Sequence, residues 1–591
     1  MIRLQKSGDF DESFDARLNN KLLAMTFTSD FRLMIGGDFN SVSGSAKHRI
    51  ARLKLCLDTT IWDGGSWSKG FPSGGKEVIF KEDYPSLTTA NICSCSINEG
   101  KKVTLLKENT LGIEFDYSGL GSLILENAAG LYQSDNDIIN TGIVNLKRDS
   151  SPIVKLDYTY WSSPVANQKL LDVSPNTPSD KYFSYDFTVK NWKHESPSNH
   201  MIAGKGYIIQ GPKTFSSTTA SKYEATFKGI PNNGRVEVSI GGSDSFSLIG
   251  NPYPSTLNAD IFLKSNAAQI KGTLYFWTHN TPITKGQYAS DDYAVYNLLG
   301  GVGTRGALAS GVNETIPDEK IASGQAFFVS GKTSGTVEFN NMMRMAEKNT
   351  TFFKPAKVQN DDAQVKVEKH RIWLNLKNSE GIFKQILLGY IEGASNSYDT
   401  DFDAESFNGN QFVDFYSIAE NKELVIQGRA LPFVESDSVL LGYSSTISGE
   451  FNLSIDHLDG LFSNLDVFIE DKNLKSTHNL KDGPYMFQTQ KGTYNDRFVL
   501  KFMNVELGTG DFEKDKNEFL VSVKDKNINL TSMKEFISEV DIFDVSGKRL
   551  FVKKKIDARE LQISNLQSRN QILLIMTTLK NGYKTTKKIL F

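Results

Sequence analysis

The chain has 591 residues and a formal net charge of -3, from 66 Lys and Arg against 69 Asp and Glu. This balance excludes a strong field for nucleic acid or an anionic membrane over the whole chain, so no nucleic-acid partner is predicted. Forty-seven glycines and 11% aromatic residues among short apolar runs indicate many strands joined by tight turns. We therefore predict an all-β, multidomain fold, with a length that allows about three to five domains.

The first predicted region, residues 1–84, contains two fragments of similar kind. Ile2-Arg3-Leu4 precedes a Gly8-Asp9-Phe10 segment, and Ile35-Gly36-Gly37-Asp38-Phe39 precedes Ile50-Ala51-Arg52-Leu53. Arg3 and Arg52 lie 49 residues apart, a spacing found in propellers and solenoids. The pattern resembles the delta-60 repeat family, whose units carry a GGxF strand and an R-I-A-R-L strand. The resemblance implies that residues 1–84 end a propeller- or solenoid-like repeat region.

Residues 85–150 contain very short apolar segments, such as Val103-Thr104-Leu105 and Leu123-Ile124-Leu125, separated by Asn, Gly and Ser. This spacing predicts a short β-solenoid or a β-meander.

Residues 151–345 contain one sequence pattern that occurs twice. Tyr160-Trp161-Ser162-Ser163-Pro164 and Leu248-Ile249-Gly250-Asn251-Pro252 are each followed by a strand that opens on glycine. We predict a β-rich module with two related lobes. Residues 346–363 are polar and predict a linker. Alternating apolar residues in 364–506 predict a two-sheet β-sandwich.

The small number of cysteines and the absence of common catalytic motifs argue against a disulfide-scaffold protein and against an enzyme. Cys56, Cys93 and Cys95 are too few for a disulfide framework, and the last two are too close for an easy bridge. No G-x-S-x-G, H-E-x-x-H or Walker A sequence occurs. We predict no enzymatic activity, no catalytic residue and no organic cofactor.

One acidic segment could bind a metal ion. Asp399, Asp401, Asp403 and Glu405 place oxygen ligands at alternate positions, and Ca²⁺ takes six to eight oxygen ligands. The run lacks the glycine of an EF-hand loop, so a solvated acidic loop is the alternative. These four residues are the calcium candidate.

The last region, residues 507–591, predicts seven short strands in an Ig-like sandwich. Ser546-Gly547 and Asn581-Gly582 read as turns, and the run from Lys587 to Phe591 reads as the last strand. The core strand before it is predicted to point three side chains inward: Ile572, Leu574 and Met576.

The line V-x-I-F-D-V-S-G-K-R-L, from Val540 to Leu550, followed by a lysine-bearing terminal hairpin, resembles the type A C-terminal sorting domain of type IX secretion cargo. The Pro-Asn-Pro often found at the start of that domain is replaced here by Gly508-Thr509-Gly510-Asp511-Phe512, so its start and any cleavage point stay open. The resemblance marks six residues as the sorting signal: Gly547, Lys548, Asn581, Gly582, Lys587 and Lys588.

This resemblance implies an exported protein that is attached to the outer membrane at the cell surface. The partners it implies are the type IX translocon, a PorV-type shuttle protein and a sortase, with anionic lipopolysaccharide or surface glycans as further partners. Charged residues interrupt any signal peptide in residues 1–25, so we expect the chain to be the C-terminal part of a longer one. An adhesin or a gliding-associated surface component is the first functional hypothesis. The alternatives are accessory modules of a secreted hydrolase and a carbohydrate-binding surface protein.

Overall fold

The computed structural model describes residues 16–28, 33–53, 56, 58–278, 293–304, 316–346, 368–406, 412–503, 519–524, 527–532, 535–544, 547–564, 566, 571–582 and 584–591. Outside this range lie the first fragment of the predicted repeat, most of the predicted linker and the start of the predicted sorting domain. The chain divides into two compact units, Met1–Asn504 and Val505–Phe591. Within the described residues the α-helices have only four and seven residues, which confirms the all-β prediction. No helix in this part of the chain is long and apolar enough to span a membrane.

The first described segment is a small antiparallel sheet of order β1-β2-β5. Leu33, Ile35 and Ala51 fill its core together with Phe39. The strands of this segment are β1 Leu22–Phe27, β2 Leu33–Gly37, β3 Ser41–Val42, β4 Ser45–Ala46 and β5 Ile50–Leu53.

A parallel β-solenoid follows, and it begins at Asp58 rather than at residue 85. Its strands are β6 Asp58–Trp62, β7 Lys76–Phe80, β8 Tyr84–Leu87, β9 Ala90–Ile92, β10 Ser94–Ile97, β11 Lys102–Leu105, β12 Thr110–Ile113, β13 Tyr117–Ser118, β14 Ser122–Leu125, β15 Gly130–Tyr132 and β16 Ile143–Asp149.

Parallel pairing between successive turns selects the solenoid over the meander. Three sheets run along it: β13-β10-β7-β6, β16-β14-β11-β8 and β15-β12-β9. Val103, Leu123 and Val144 stack in one fully buried column. Residues 58–84 therefore belong to the solenoid and not to the predicted repeat region.

The next region contains two copies of one strand arrangement. Its elements are β17 Tyr158–Ser162, α1 Leu170–Val173, β18 Tyr182–Asp186, β19 Asn191–His194, β20 Gly206–Gln210, β21 Glu224–Gly229, β22 Val236–Ile240, β23 Phe246–Gly250, β24 Thr256–Asn258, α2 Ala259–Ser265, β25 Ile270–Trp277, β26 Tyr293–Asn297, β27 Gly301–Val302, β28 Lys320–Ile321, β29 Ala326–Gly331, β30 Gly335–Phe339, a 3₁₀ turn Asn341–Met343 and β31 Arg344–Met345.

The first copy forms a sheet of order β17-β20-β18-β19, and the second forms β23-β29-β25-β26-β27. In the same way β21 pairs with β16, and β30 pairs with β22. Gly204 and Gly324, which open the equivalent strands β20 and β29, have φ angles of +77° and +78°. The pattern that occurs twice in the sequence thus coincides with a repeat in strand order.

The third region of this unit is one eleven-stranded hydrogen-bonded system. Its elements are β32 Lys369–Lys377, β33 Phe383–Ile391, β34 Ala404–Glu405, β35 Val413–Ala419, β36 Lys422–Ala430, β37 Ser438–Ser445, β38 Gly449–Leu458, a 3₁₀ turn Gly460–Ser463, β39 Phe468–Asp471, β40 Ser476–Asn479, β41 Tyr485–Thr489 and β42 Gly492–Lys501.

These strands follow one path, β40-β39-β42-β37-β35-β36-β33-β32-β38-β41, with β34 added to β36. The predicted β-sandwich is thus connected into one continuous hydrogen-bonded ladder among the described residues. The core of this region also includes Tyr160 and Phe328 from the preceding repeat. Trp373 donates its indole N–H to the carbonyl oxygen of Gly301 at 2.8 Å, so packing continues across the predicted boundary.

In its described residues the C-terminal unit is a seven-stranded antiparallel sandwich. Its strands are β43 Phe519–Lys524, β44 Asn527–Ser532, β45 Ile537–Asp544, β46 Arg549–Ala558, β47 Glu560–Ile563, β48 Ile572–Leu579 and β49 Lys584–Leu590. The sheets are β43-β44-β47 and β46-β45-β48-β49. The first, second and fifth strands thus share a sheet, an Ig-like arrangement in which the fourth strand lies beside the third.

One strand of this unit, β48, turns different side chains toward the core than the sequence predicted. Strand β48 buries Leu573 and Ile575, whereas Met576 is 43% exposed and Ile572 and Leu574 are half-buried. A continuous apolar run offers an apolar residue to both faces, so alternation alone cannot decide which face is inside. The neighbouring strands decide it, because Ile542 pairs with Ile575 on the core face.

Candidate functional site

The predicted turn at Gly547 forms the β45–β46 hairpin. Gly547 has a φ of +82°, and its N–H donates to the carbonyl oxygen of Asp544 at 3.0 Å. The N–H of Lys548 donates to the Asp544 carboxylate at 3.0 Å. Val545 and Ser546 lie outside the described residues. The turn leaves Gly547 and Lys548 exposed to solvent.

The predicted turn at Asn581-Gly582 forms the β48–β49 hairpin. Gly582 has a φ of +88°, which favours glycine, and its N–H donates to the carbonyl oxygen of Leu579 at 2.9 Å. The Lys580 ammonium lies 2.7 Å from the Asp557 carboxylate. Both Asn581 and Gly582 are exposed.

The two turns lie at opposite ends of the four-stranded sheet. Asp544, next to the first turn, pairs with Leu573 at the start of β48. Ile537, at the other end of β45, pairs with Leu579, next to the second turn. The six predicted sorting residues are therefore spread along the sheet and do not form one cluster.

The solvent side of this sheet, which we call the outer face, is ordered in three cross-strand rows. Each row runs from β46 through β45 and β48 to β49. The centre of the face is apolar or acidic, and cations occupy the corners. The rows are Arg549, Phe543, Leu574 and Lys588; Val552, Asp541, Met576 and Thr586; and Lys554, Glu539, Thr578 and Lys584.

Ion pairs order the β46 side of the outer face. The Arg549 guanidinium lies 3.0 Å from Asp541 and 5.5 Å above the ring centre of Phe543. Lys554 lies 2.7 Å from Glu539, and this hydrogen bond lowers the pKa of the Glu539 carboxyl. Both carboxylates of the face thus already have a cationic partner on β46.

The β49 side is different. Lys584 and Lys588, the β49 lysines of the outer face, are exposed, as is Lys587, which lies opposite Ile575 on the other side of the strand. None of the three lies in an ion pair with a described carboxylate. Val552 and Met576 are 45% and 43% exposed. Exposed apolar side chains beside cations without a described partner make this side of the face a candidate contact surface.

Sequence reasoning named Lys588 but missed the outer face as a whole. The available signal was the run from Ile572 to Met576, because a strand that is apolar at every position must expose apolar side chains unless both faces are covered. Cross-strand pairing was also needed to bring Phe543, Leu574 and Lys588 into one row.

The four calcium-candidate carboxylates are held by protein donors. Asp403 is buried and accepts the backbone N–H groups of Asp399 at 2.7 Å and Gly428 at 2.8 Å, and burial raises its pKa to about 7. The Asp399 carboxylate accepts the backbone N–H of Asp401 at 3.0 Å, and Asp401 pairs with Lys332 at 2.5 Å. Glu405 pairs instead with Lys422 at 3.2 Å and accepts the hydroxyl of Tyr398 at 2.8 Å. In the described part of the chain no three His, Cys, Asp or Glu side chains are grouped to hold a metal ion.

The larger unit has a cleft of about 350 Å³ between the β18–β19 hairpin and strands β22 and β23. Tyr185 and Leu248 contribute to its lining. Its charged lining residues are Asp186, Lys193, Lys205 and Glu237. Trp192 on the same hairpin is 36% exposed and packs edge-to-face on Tyr185, with ring centres 5.4 Å apart. The cleft combines an aromatic wall with polar groups of both signs.

A disulfide that sequence reasoning did not predict joins the solenoid to the segment that precedes it. Cys56 and Cys93 are bonded, with Cα atoms 5.4 Å apart, while Cys95 is a buried free thiol. Cys93 stands at the end of β9, so parallel stacking brings it next to the segment before the first solenoid strand.

No curated protein matches the chain. The C-terminal residues 507–591 match a family model described as Domain of unknown function (DUF8694). Residues 58–502, more than half of the chain, match the model described as Domain of unknown function (DUF8693), and the chain therefore belongs to that family.

Proposed function

We propose that this chain is an exported cell-surface protein and that residues 507–591 are the signal by which the type IX secretion system delivers it. In this proposal a PorV-type shuttle protein reads the C-terminal unit, and a sortase then removes it or joins the cargo to anionic lipopolysaccharide. The upstream unit acts at the outer membrane as an adhesin or a gliding-associated surface component, without an enzymatic role of its own.

The outer face of the C-terminal unit is the observation that carries this proposal. It belongs to a compact unit, it exposes Val552 and Met576 in its middle row, and its β49 rim carries lysines without a described partner. The β45–β46 and β48–β49 hairpins border this face, and the resemblance to the type IX sorting domain rests on these two hairpins. A rigid face of this kind suits recognition by one docking protein.

The disulfide supports export. Disulfides persist in oxidising compartments and are rare in the cytosol, where thiols are kept reduced. A bond between Cys56 and Cys93 therefore agrees with a mature protein outside the cytoplasm.

A transplant tests the signal directly. Residues 505–591 are fused to a periplasmic passenger protein in a bacterium that has the type IX system, and surface fractions are probed for the passenger. We expect the passenger at the surface or in the medium, and retention of the passenger in the periplasm when the translocon is deleted. Retention of the fusion in the presence of a working translocon would refute the assignment.

The cleft beside Tyr185 favours one alternative role for the larger unit, glycan binding. Sugars stack on aromatic side chains and hydrogen-bond to polar groups, and this cleft offers both. A glycan array with the full chain and with the double variant Lys193→Ala and Glu237→Ala tests it. Signals that disappear in the variant support the role, and the absence of any signal refutes it.

A further inference from the structure

We infer that β49 is a strand-addition site that accepts an acidic strand from the docking partner. The inference rests on the proposed function for its biological setting, and its physical basis is the backbone geometry of this strand.

The backbone of β49 presents a free row of hydrogen-bonding groups. Gln571 and Phe591 exchange both N–H···O bonds at 3.0 Å, which marks them as a hydrogen-bonded antiparallel pair. Such pairs alternate along the register, so Thr585 and Lys587 direct their N–H and C=O groups toward β48. Thr586 and Lys588 direct theirs away from the sheet. No other strand of the described residues pairs with β49.

The β49 edge is regular, whereas the opposite edge of the same sheet is not. The β48–β49 register runs without a shift from Ile572 to Thr578. Strand β46 has two register shifts against β45, and Lys555 and Asp557 within it have φ angles of +56° and +51°. Bulges of this kind prevent another strand from pairing, so geometry selects β49 as the open edge.

Charge selects the kind of strand that can be added. The seven-residue edge strand contains three lysines: Lys584, Lys587 and Lys588. A second copy of β49 would bring these lysines against one another, and like charges on adjacent strands are destabilising. A strand with Asp or Glu at these positions gains opposite-charge pairs as well as main-chain bonds. The lysines therefore block self-association and favour an acidic partner strand.

Two neighbouring threonines allow a sharp test in the full chain. Thr586→Pro removes an N–H that points outward and keeps every lysine, and proline is tolerated at such edge positions. Thr586→Val keeps the N–H and is the matched control. Thr585→Pro removes an N–H that bonds to β48 and is expected to destabilise the sandwich.

The probe is a capped synthetic nonapeptide that alternates Glu and Val, compared with its Lys-Val counterpart and with dextran sulfate. Binding is measured by fluorescence anisotropy, and amide protection of residues 584–591 by hydrogen-exchange mass spectrometry. We expect the Glu peptide alone to protect this segment, at least tenfold weaker binding in Thr586→Pro, and unchanged binding in Thr586→Val. The thermal-unfolding midpoint of Thr586→Pro should stay within a few degrees of the wild type.

Equal binding of the Glu peptide by Thr586→Pro and the wild type would overturn strand addition, because the lysines would then act only as separate charges. Stronger protection by dextran sulfate than by the peptide would overturn it in favour of a polysaccharide. Neither result depends on export. Export that persists without residues 507–591 would refute the proposed function and leave the strand-addition site standing.

Discussion

The backbone N–H of Ser162 donates a hydrogen bond of 2.9 Å to the carbonyl oxygen of Gly324. The N–H of Gly250 donates in the same way to the carbonyl oxygen of Gly204, also at 2.9 Å. The proline-ended strand of each copy is thus bonded to the glycine turn of the other copy. The two copies of the repeat are therefore interlocked by a reciprocal exchange and do not simply follow each other along the chain.

The surroundings of the two turn glycines predict unequal costs for their substitution. Both Gly204 and Gly324 have left-handed φ angles, so alanine at either position costs about 1 to 2 kcal/mol. A Cβ on Gly204 would also lie 2.4 Å from a methyl of Val238, whereas on Gly324 its nearest neighbour is Phe227 at 3.4 Å. We expect Gly204→Ala to lower the thermal-unfolding midpoint more than Gly324→Ala does. Equal midpoints for the two variants would contradict this.

The disulfide predicts a stepwise pattern of cysteine labelling. Cys95 is buried, and burial raises the pKa of its thiol, so the native protein should take up no iodoacetamide. Denaturation without reductant should expose one thiol, and reduction should expose three; intact-mass spectrometry counts the labels. Two or three labels in the unreduced, denatured protein would show that the Cys56–Cys93 bond is absent.

Removing that bond should also weaken the solenoid. The chain-entropy model gives about 3 to 4 kcal/mol for a cross-link that closes a loop of this length. Cys93→Ser and reductant are each expected to lower the thermal midpoint, and reductant should have no further effect on the variant. An additional loss in the reduced variant would point to a different bond.

Asp403 predicts a pH dependence of stability. Its pKa is raised to about 7 in the folded protein, mainly by burial, above the ordinary value near 3.8. Between about pH 4 and pH 7 the folded state therefore binds more protons at this site than the unfolded state, so stability falls as the pH rises. Asp403→Asn cannot titrate and loses one acceptor for the N–H groups of Asp399 and Gly428. The midpoint of the wild type relative to this variant should fall from pH 5 to pH 8, and parallel curves would refute the raised pKa.

Charge reversal tests the lysines of the proposed sorting signal. We change Lys548, Lys587 and Lys588 together to Glu. The amount of protein that reaches the cell surface should fall at least tenfold, because the proposed docking surface loses three cations. Three exposed lysines of the larger unit, Lys190, Lys213 and Lys222, give the matched control, with the same change of net charge. Equal export of both triple variants would rule out a role for the rim lysines.

Sequence patterns predicted the C-terminal unit well because its strands are short and separated by glycine turns. Strands with one apolar face, such as the one with Ile528 and Leu530, could be oriented from alternation alone. The run from Ile572 to Met576 could not, because both of its faces are apolar. The outer face was missed for the same reason, since its rows exist only after four strands are in register.

The larger unit shows which relations are beyond such patterns. The short apolar segments near Val103 suit either a meander or a solenoid, and only pairing to Leu123 one turn later decides between them. The Cys56–Cys93 bond joins residues 37 apart in the chain, and the solenoid brings them together. Pairing between distant residues depends on tertiary structure, which a single sequence does not display.

The most direct test of the central claim removes residues 507–591 from the chain in a bacterium that secretes it, and follows the rest by fractionation and surface labelling. We predict that the truncated protein remains folded, keeps its Cys56–Cys93 disulfide and accumulates in the periplasm. Truncated protein at the cell surface or in the medium at the level of the full chain would contradict the assignment of the C-terminal unit as the export signal.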